Sequence, residues 1–496
     1  MDTTRVFPLE VMTKIFCESH ADVVSRPLGS DYSPQVILNE APLSLIRVSR
    51  RWRAIALDSP QVWTTLSLPA FPDISYTDLR IEESLKAVQS WLARSRSLPL
   101  SFGVSVTRLP YEYDVDFDLY LARYLSMLFG ECHRWKEVNI TFHSYSDIES
   151  VLRPLLPSSS PNLAPLLERF VVYSSGTYNE SIMTLFKDAP LLQNVKLYHP
   201  NLTKWSLPWS QLTRIDVTNS RLTWNSHNSI PTDEFMAMLG KCNKVEDLRF
   251  SVATDIDFES LNAIKPIALP ALHRLHASLN DPTARFTCAF LGSVHAPNLQ
   301  SMHVASSDVF DRSQDYRRTE ADRSTAELLS AFRCFLTHCK HSLQKFKLLG
   351  KGDDQGLPSI LSNMPNLSSL TLSMETVTVP LLRSLTLRFV SDGTGLLDCG
   401  HAPHLTHIEF IGDYFPGEKT WQSPASDPSA HEIYNIFTNM VESRRRIPET
   451  ALKTGEVDRL REVRVQKGIW ARMAKLYRES YARFEIMSDE GLKIAV

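Results

Sequence analysis

MPNLSSLTL, residues 364–372, holds the plan of this chain in one short run. Leu367, Leu370 and Leu372 make an L-x-x-L-x-L pattern, and Pro365 stands two positions before it. The last two leucines are two apart, so they leave an extended strand on the same side. The pattern returns as APLLERFVV (164–172), APLLQNVKL (189–197), LPALHRLHA (269–277), APNLQSMHV (296–304), VPLLRSLTL (379–387) and APHLTHIEF (402–410). Without the proline prefix it recurs at Trp135-Val138-Ile140, Leu212-Ile215-Val217, Val245-Leu248-Phe250, Leu343-Phe346-Leu348 and Leu460-Val463-Val465. A single short strand cannot bury its apolar side. Twelve copies predict a stack of parallel strands in which each unit covers the next.

Parallel neighbours need a crossover, and the segments between the strands supply helical periodicity. LARYLSMLFGEC (121–132), ESIMTLFKDA (180–189), TDEFMAMLGKC (232–242), TAELLSAFRCFLTHC (325–339) and HEIYNIFTNMVESRRR (431–446) each end a few residues before a strand unit. The expected fold is therefore α/β, a solenoid with a curved parallel sheet and strands recurring at intervals of roughly 15 to 55 residues. It resembles an irregular leucine-rich repeat. A doubly wound α/β domain is the competing architecture, and no glycine-rich turn after a strand supports it.

The N-terminus follows another rule. In PLSLIRVSRRWRAIALDSPQVWTTL (42–66), Leu45, Val48, Trp52 and Ile55 share one helical face, and arginines occupy much of the rest. FPLEVMTKIF (7–16) is a second short amphipathic helix with Pro8 in its first turn. The pair resembles an F-box. Phe7-Pro8-Leu9-Glu10 followed by Ile15-Phe16 matches the family's opening, Val48-Ser49-Arg50-Arg51-Trp52 its second-helix signature, and Trp63 its closing tryptophan. Phe7 replaces the usual leucine, and a polar insert, ESHADVVSRPLGSDYSPQ (18–35), separates the helices. Loop length costs little closure entropy, so the insert is compatible with the module. Divergent F-box-like proteins of mushroom-type (basidiomycete) fungi carry similar insertions. The resemblance implies a Skp-type adaptor of a cullin–RING ubiquitin ligase as partner, met by Phe7, Pro8, Leu9, Ile15, Phe16, Leu45, Val48, Ser49 and Trp52. It also implies that the helix and strand in 78–106, with Trp91-Leu92 and Leu98-Pro99-Leu100, begin the solenoid. The expected layout is an F-box-like module at 1–69, a linker helix and capping strand at 70–120, and the repeats at 121–496.

Composition narrows the function. The chain has 496 residues, 43% hydrophobic and 22% charged, with net charge −3, which opposes general nucleic-acid binding. No apolar run reaches membrane-spanning length, and MDTTRVFPLE lacks the apolar core of a secretory signal. Seven scattered cysteines suit a reducing compartment, so cytosol or nucleus is expected. No catalytic motif is present, and the chain reads as a non-enzyme without a cofactor. Cys334, His338 and His341, and separately His401, His404 and His407, are the sets that a metal-dependent hydrolase would need, but helix-end and strand roles account for them. Arg444-Arg445-Arg446 reads as the cationic end of a helix, WARMAKLYRESYARFEIM (470–487) as a closing helix and final strand, and GDYFPGEKTWQSPASDPSA (412–430) as a long polar loop.

In each unit the residues flanking the second apolar position face away from the core. Arg169, Lys196, Arg214, Arg249, Arg274, Lys345 and Lys347 there outnumber Asp216 and Asp247, a positive face suited to an acidic or phosphorylated target. Incidental charge on a solvated face competes with that reading. The expected function is a substrate receptor of an SCF-type ubiquitin ligase. The alternative is a leucine-rich-repeat scaffold with no ligase role, its apolar helical face packed against 78–106.

Overall fold

The computed structural model describes residues 7–19, 42–67, 78–106, 115–142, 154, 163–174, 186–198, 205–218, 232–253, 265–280, 285–306, 330–349, 356–389, 397–412 and 428–495. The chain is an α/β repeat protein built on parallel strands, and it divides into two compact units, Met1–Asn228 and Ser229–Val496. Most of the polar insert, the start of the 180–189 segment, residues 325–329 and the bulk of the 412–430 loop lie outside the described residues.

In the first unit, β1 (Thr65–Ser67), β2 (Leu100–Val106), β3 (Trp135–Phe142), β4 (Arg169–Ser174), β5 (Asn194–Tyr198) and β6 (Arg214–Thr218) pair in chain order, all parallel. Helices Asp78–Arg94 and Val115–Gly130 make the first two crossovers. The predicted period-two pairs point inward: Phe102 and Val104, Val138 and Ile140, Phe170 and Val172, Val195 and Leu197, Ile215 and Val217 are all buried. Large rings fill the space behind them. Trp135 meets Phe102 edge-on at 5.3 Å and Phe129 at 5.0 Å, while Phe170 lies 4.4 Å from Phe186. Arg134, almost fully buried, donates to the carbonyls of Leu92 and Leu98, to Ser95 Oγ and to Glu131. It thereby gives the Leu98 carbonyl a donor and shares the Leu92 carbonyl, near the end of helix 78–94, with the Ser95 hydroxyl.

In the second unit, β7 (Asp247–Ala253), β9 (Arg274–Asn280), β11 (Ser301–Ser306), β12 (Lys345–Leu349), β13 (Ser369–Ser373), β16 (His407–Ile411), β17 (Glu462–Arg464) and β18 (Lys493–Ala495) form a parallel sheet. Two small pairings accompany it: β8 (Ile267–Ala268) with β10 (Val294–His295), parallel, and β14 (Arg388–Phe389) with β15 (Leu397–Cys399), antiparallel. Helices Thr232–Leu239, Arg285–Ser293, 330–339, Gly356–Leu361 and Pro428–Arg445 precede strands in the expected order.

Adjacent repeats are tied at a fixed point. At most junctions the carbonyl just before a strand accepts two N–H groups from the next repeat: Glu246 from His273 and Arg274, His273 from Gln300 and Ser301, Gln300 from Gln344 and Lys345. The relay continues through Gln344, Ser368 and Thr406, and in the first unit Glu168 and Gln193 do the same. Equivalent positions recur after as few as 20 residues (Asn194 to Arg214) and as many as 55 (His407 to Glu462).

Two sequence expectations are corrected. VPLLRSL, read as a strand unit, is a helix, Val379–Leu385. Thr378 caps it by accepting from the Leu381 N–H, Pro380 lies in its first turn, and Leu381, Leu382 and Leu385 face inward at helical spacing. Residues 470–487, read as a closing helix and final strand, instead fall in two helices, Lys467–Leu476 and Arg478–Asp489, and the strand follows at Lys493. Phe484 and Met487 are buried on one helical face, with Phe484 against Phe437 at 5.4 Å. Arg444 and Arg445 do lie in the last turn of their helix, as expected, and Arg444 is in addition fully buried: its guanidinium donates to Leu385 O at 2.6 Å, His401 O at 2.5 Å and Ala402 O at 2.9 Å. Burial pushes its pKa down to about 9, which leaves it charged at neutral pH.

Candidate protein-binding surfaces

The first surface is built by the N-terminal helices. Leu9–Glu18 starts after Pro8, whose carbonyl accepts the Met12 N–H. Leu45–Val48 runs into Arg50–Asp58 through Ser49, which breaks to an extended backbone and accepts the Trp52 N–H through its hydroxyl. The Arg51 guanidinium donates to the Phe7 carbonyl, which pins the two helices together. Inside, Met12, Phe16, Leu45, Ile55, Val62 and Trp63 are buried, and Phe16 meets Trp52 at 5.0 Å. Trp63 donates to the Ala56 carbonyl at 2.6 Å and packs on Trp91 and the Arg94 guanidinium, which joins this group to helix 78–94.

The nine residues expected at the adaptor thus fall into two sets. Phe16 and Leu45 turn inward, with Trp52 and Ser49 half-buried at the seam. Phe7, Pro8, Leu9, Ile15 and Val48 are exposed, Ile15 at 47% and Val48 at 59%. Val11 and Leu57, which sequence reading missed, are exposed as well. Leaving this many large apolar side chains in water forfeits burial worth ~1 kcal/mol or more for each.

The second surface is the outward face of the strands. Pairing places its residues in cross-strand rows, and the rows show where the charges are balanced. Arg169 faces Glu137 at 3.6 Å and Lys196 faces Asp216 at 3.3 Å, each pair in register. Arg464 contacts Glu409 and Glu462, and Lys493 contacts Glu462. Arg214 lies in the same row as Arg169. On β7 to β12 the balance changes. Asp247, whose side chain is almost fully buried, serves both Arg249 at 3.3 Å and Arg274 at 3.4 Å. Lys345 and Lys347 have no ion-pair partner among the described residues. Four fixed cations against one carboxylate leave +3 on two rows. The expected positive face is therefore concentrated on four strands, and neutralised elsewhere by Glu137, Glu409 and Glu462, which sequence reading left out.

Between those cations, His276 and His303 stand side by side with Nδ1 atoms 3.1 Å apart and ring centres 3.9 Å apart. Burial, then His276, Lys347 and Arg249, lower the His303 pKa to about 4, so its ring is neutral. The other histidine sets are dispersed. His404 contacts Asp458, His338 packs on His295, and the His341 carbonyl accepts from Asn366. Among the described residues no group of three or more metal-ligating side chains comes together. Burial raises the Cys242 and Cys339 thiols to about 12, which makes them poor nucleophiles. Among the described residues no helix is long and apolar enough to cross a membrane.

Parallel strands in serial order within each unit, period-two cores and repeat-to-repeat carbonyl relays define an α/β repeat fold. No family model matches the sequence, and no curated protein does. Among solved structures, a chain in the crystal structure of the Rad7 and Elc1 complex in yeast is similar to this one at 15% identity. The match covers 84% of this chain and 91% of that chain, with a TM-score of 0.36.

Proposed function

We propose that this chain is a non-catalytic substrate receptor of an SCF-type ubiquitin ligase, with an F-box-like N-terminus docking on a Skp-type adaptor and the strand face holding a target protein. The exposed apolar side chains of Phe7, Leu9, Ile15 and Val48 carry the proposal. They lie on helices that already have a core of their own, so their exposure needs a partner rather than a better fold. The Pro8 and VSRRW elements of the F-box resemblance fall on the same helices. On this reading Ile15 and Val48 are anchors, and Phe16 with Trp52 supports them from below. The proposed layout keeps the module at 1–69, the linker at 70–120 and the repeats from 121.

A second reading, a repeat scaffold without a ligase, draws on the packing of Trp63 against Trp91. That contact uses the inner side of the helices and leaves the outer side open, which favours the receptor.

The test is co-expression of the full chain with a Skp-type adaptor, beside Ile15→Asp and Val48→Asp variants. Both positions are solvent-exposed, so each variant should fold with stability within ~0.5 kcal/mol of wild type. A stable complex that either variant abolishes supports the receptor. A folded wild-type chain that fails to co-purify gives the scaffold reading.

A further inference from the structure

The charge left over on β7 to β12 has a centre. Arg249, His276, His303 and Lys347 occupy one cross-strand row, direct neighbours in register across four parallel strands. Strands lie ~4.8 Å apart, so two long cationic side chains flank a pair of small imidazoles over ~14 Å of sheet. Asp247, Arg274, Ser301 and Lys345 make the adjoining row. Asp247 is the single carboxylate of the two rows and is already shared by Arg249 and Arg274.

From this arrangement we infer that the row Arg249–His276–His303–Lys347 binds a phosphomonoester on a peptide segment of the target. A phosphomonoester carries about two negative charges and three strong acceptor oxygens. Arg249 and Lys347 supply charge from both ends of the row, and imidazole N–H groups supply donors from the middle. The Nδ1–Nδ1 separation of 3.1 Å shows the two rings already share a hydrogen, so one proton position is fixed before a ligand arrives. Among the described residues His303 Nε2 is buried without a hydrogen-bond partner, and an uncompensated polar atom of that kind is costly unless something supplies a partner.

Two other occupants fit less well. The 3.1 Å spacing would suit two adjacent ligands of a transition metal, but fixed cations stand on both sides and among the described residues no third ligand is near. A nucleic acid would also meet the positive charge, but the chain is acidic as a whole, and the two rows hold no Phe, Tyr or Trp on which a base could stack.

The inference rests on the target-binding role proposed for the strand face, and its test does not involve the adaptor. Fluorescence anisotropy of the full chain would compare a degenerate peptide pool centred on phosphoserine, the same pool with serine, and a labelled single-stranded oligonucleotide. The phosphorylated pool should bind at least tenfold tighter than its serine counterpart, and inorganic phosphate should compete. Lys347→Glu and His303→Gln should each remove most of that preference, while Arg464→Ala, in the balanced part of the face, should leave it unchanged. Equal binding of the two peptide pools, a preference that survives Lys347→Glu, or tighter binding of the oligonucleotide would overturn the assignment. Equal binding of the pools beside an intact adaptor complex would remove the phosphate reading and leave the receptor standing.

Discussion

Replacing Arg444 with methionine tests the claim that buried guanidinium groups, not only leucines, hold the repeats in place. The side chain is fully buried, and methionine keeps much of its apolar length. Three carbonyls lose a donor. Ala402 O keeps one, because it also accepts the Leu405 N–H at 3.2 Å. Leu385 O and His401 O have no second donor among the described residues. A buried acceptor left unpaired costs about 1–3 kcal/mol, so the two together come to ~2–6 kcal/mol. Removing a buried cation relieves desolvation and offsets part of this, which brings the expected loss to ~3 kcal/mol. In a chain whose repeats contact mainly their neighbours, that loss stays local. Hydrogen exchange read by mass spectrometry should show peptides within 379–412 and 428–464 exchanging about a hundredfold faster, since 1.36 kcal/mol is a factor of ten. Peptides from β7 and β9 should not change. Lysine should not rescue, because an ammonium cannot present the planar fork that meets three carbonyls. A change below fivefold, or an equal acceleration across the chain, would refute the reasoning.

Two further outcomes follow from the same structure. Trp63→Ala removes a fully buried ring, its bond to Ala56 O and its packing on Trp91, and should cost ~3–5 kcal/mol; limited proteolysis should then cut within 42–63 while the strands beyond β3 stay resistant. His303 titrates near 4 when folded and near 6.5 when unfolded, so the unfolded chain takes up more protons as pH falls between those values, and stability is lost on acidification. Half-burial and water screening hold the effect to ~1 kcal/mol, and urea midpoints at pH 7 and pH 5 should differ less in His303→Gln than in wild type; parallel shifts would rule it out.

The strand units were legible because each buries two residues two apart, and only an extended chain does that. VPLLRSL misled for a related reason: L-x-x-L is also a helical step, and the Thr378 cap that decides the matter lies outside the pattern. Arg134 and Arg444 were illegible, since nothing local distinguishes a buried arginine from a solvated one. The cations of the outward face could be named, but their balance depends on which strands are neighbours and in what register. Glu137 and Glu409 matter only once Arg169 and Arg464 lie beside them. At the N-terminus the helical stripe was read as one docking face, whereas the helices use Phe16 and Leu45 for their own core.

The carbonyl relay between repeats has a consequence for how such a chain diversifies. Most strands are placed by two N–H groups that meet the preceding repeat at a fixed residue, so the length of the intervening crossover does not enter the placement. A segment can grow from 20 residues to 55 without moving the rows by one position. Insertions, deletions and duplications of whole crossovers are then close to silent for recognition, and substitutions at a few outward positions are not. If the strand face holds a target as proposed, selection on that target can act on row residues such as Lys347 and His303 independently of selection on how the chain gets from one strand to the next.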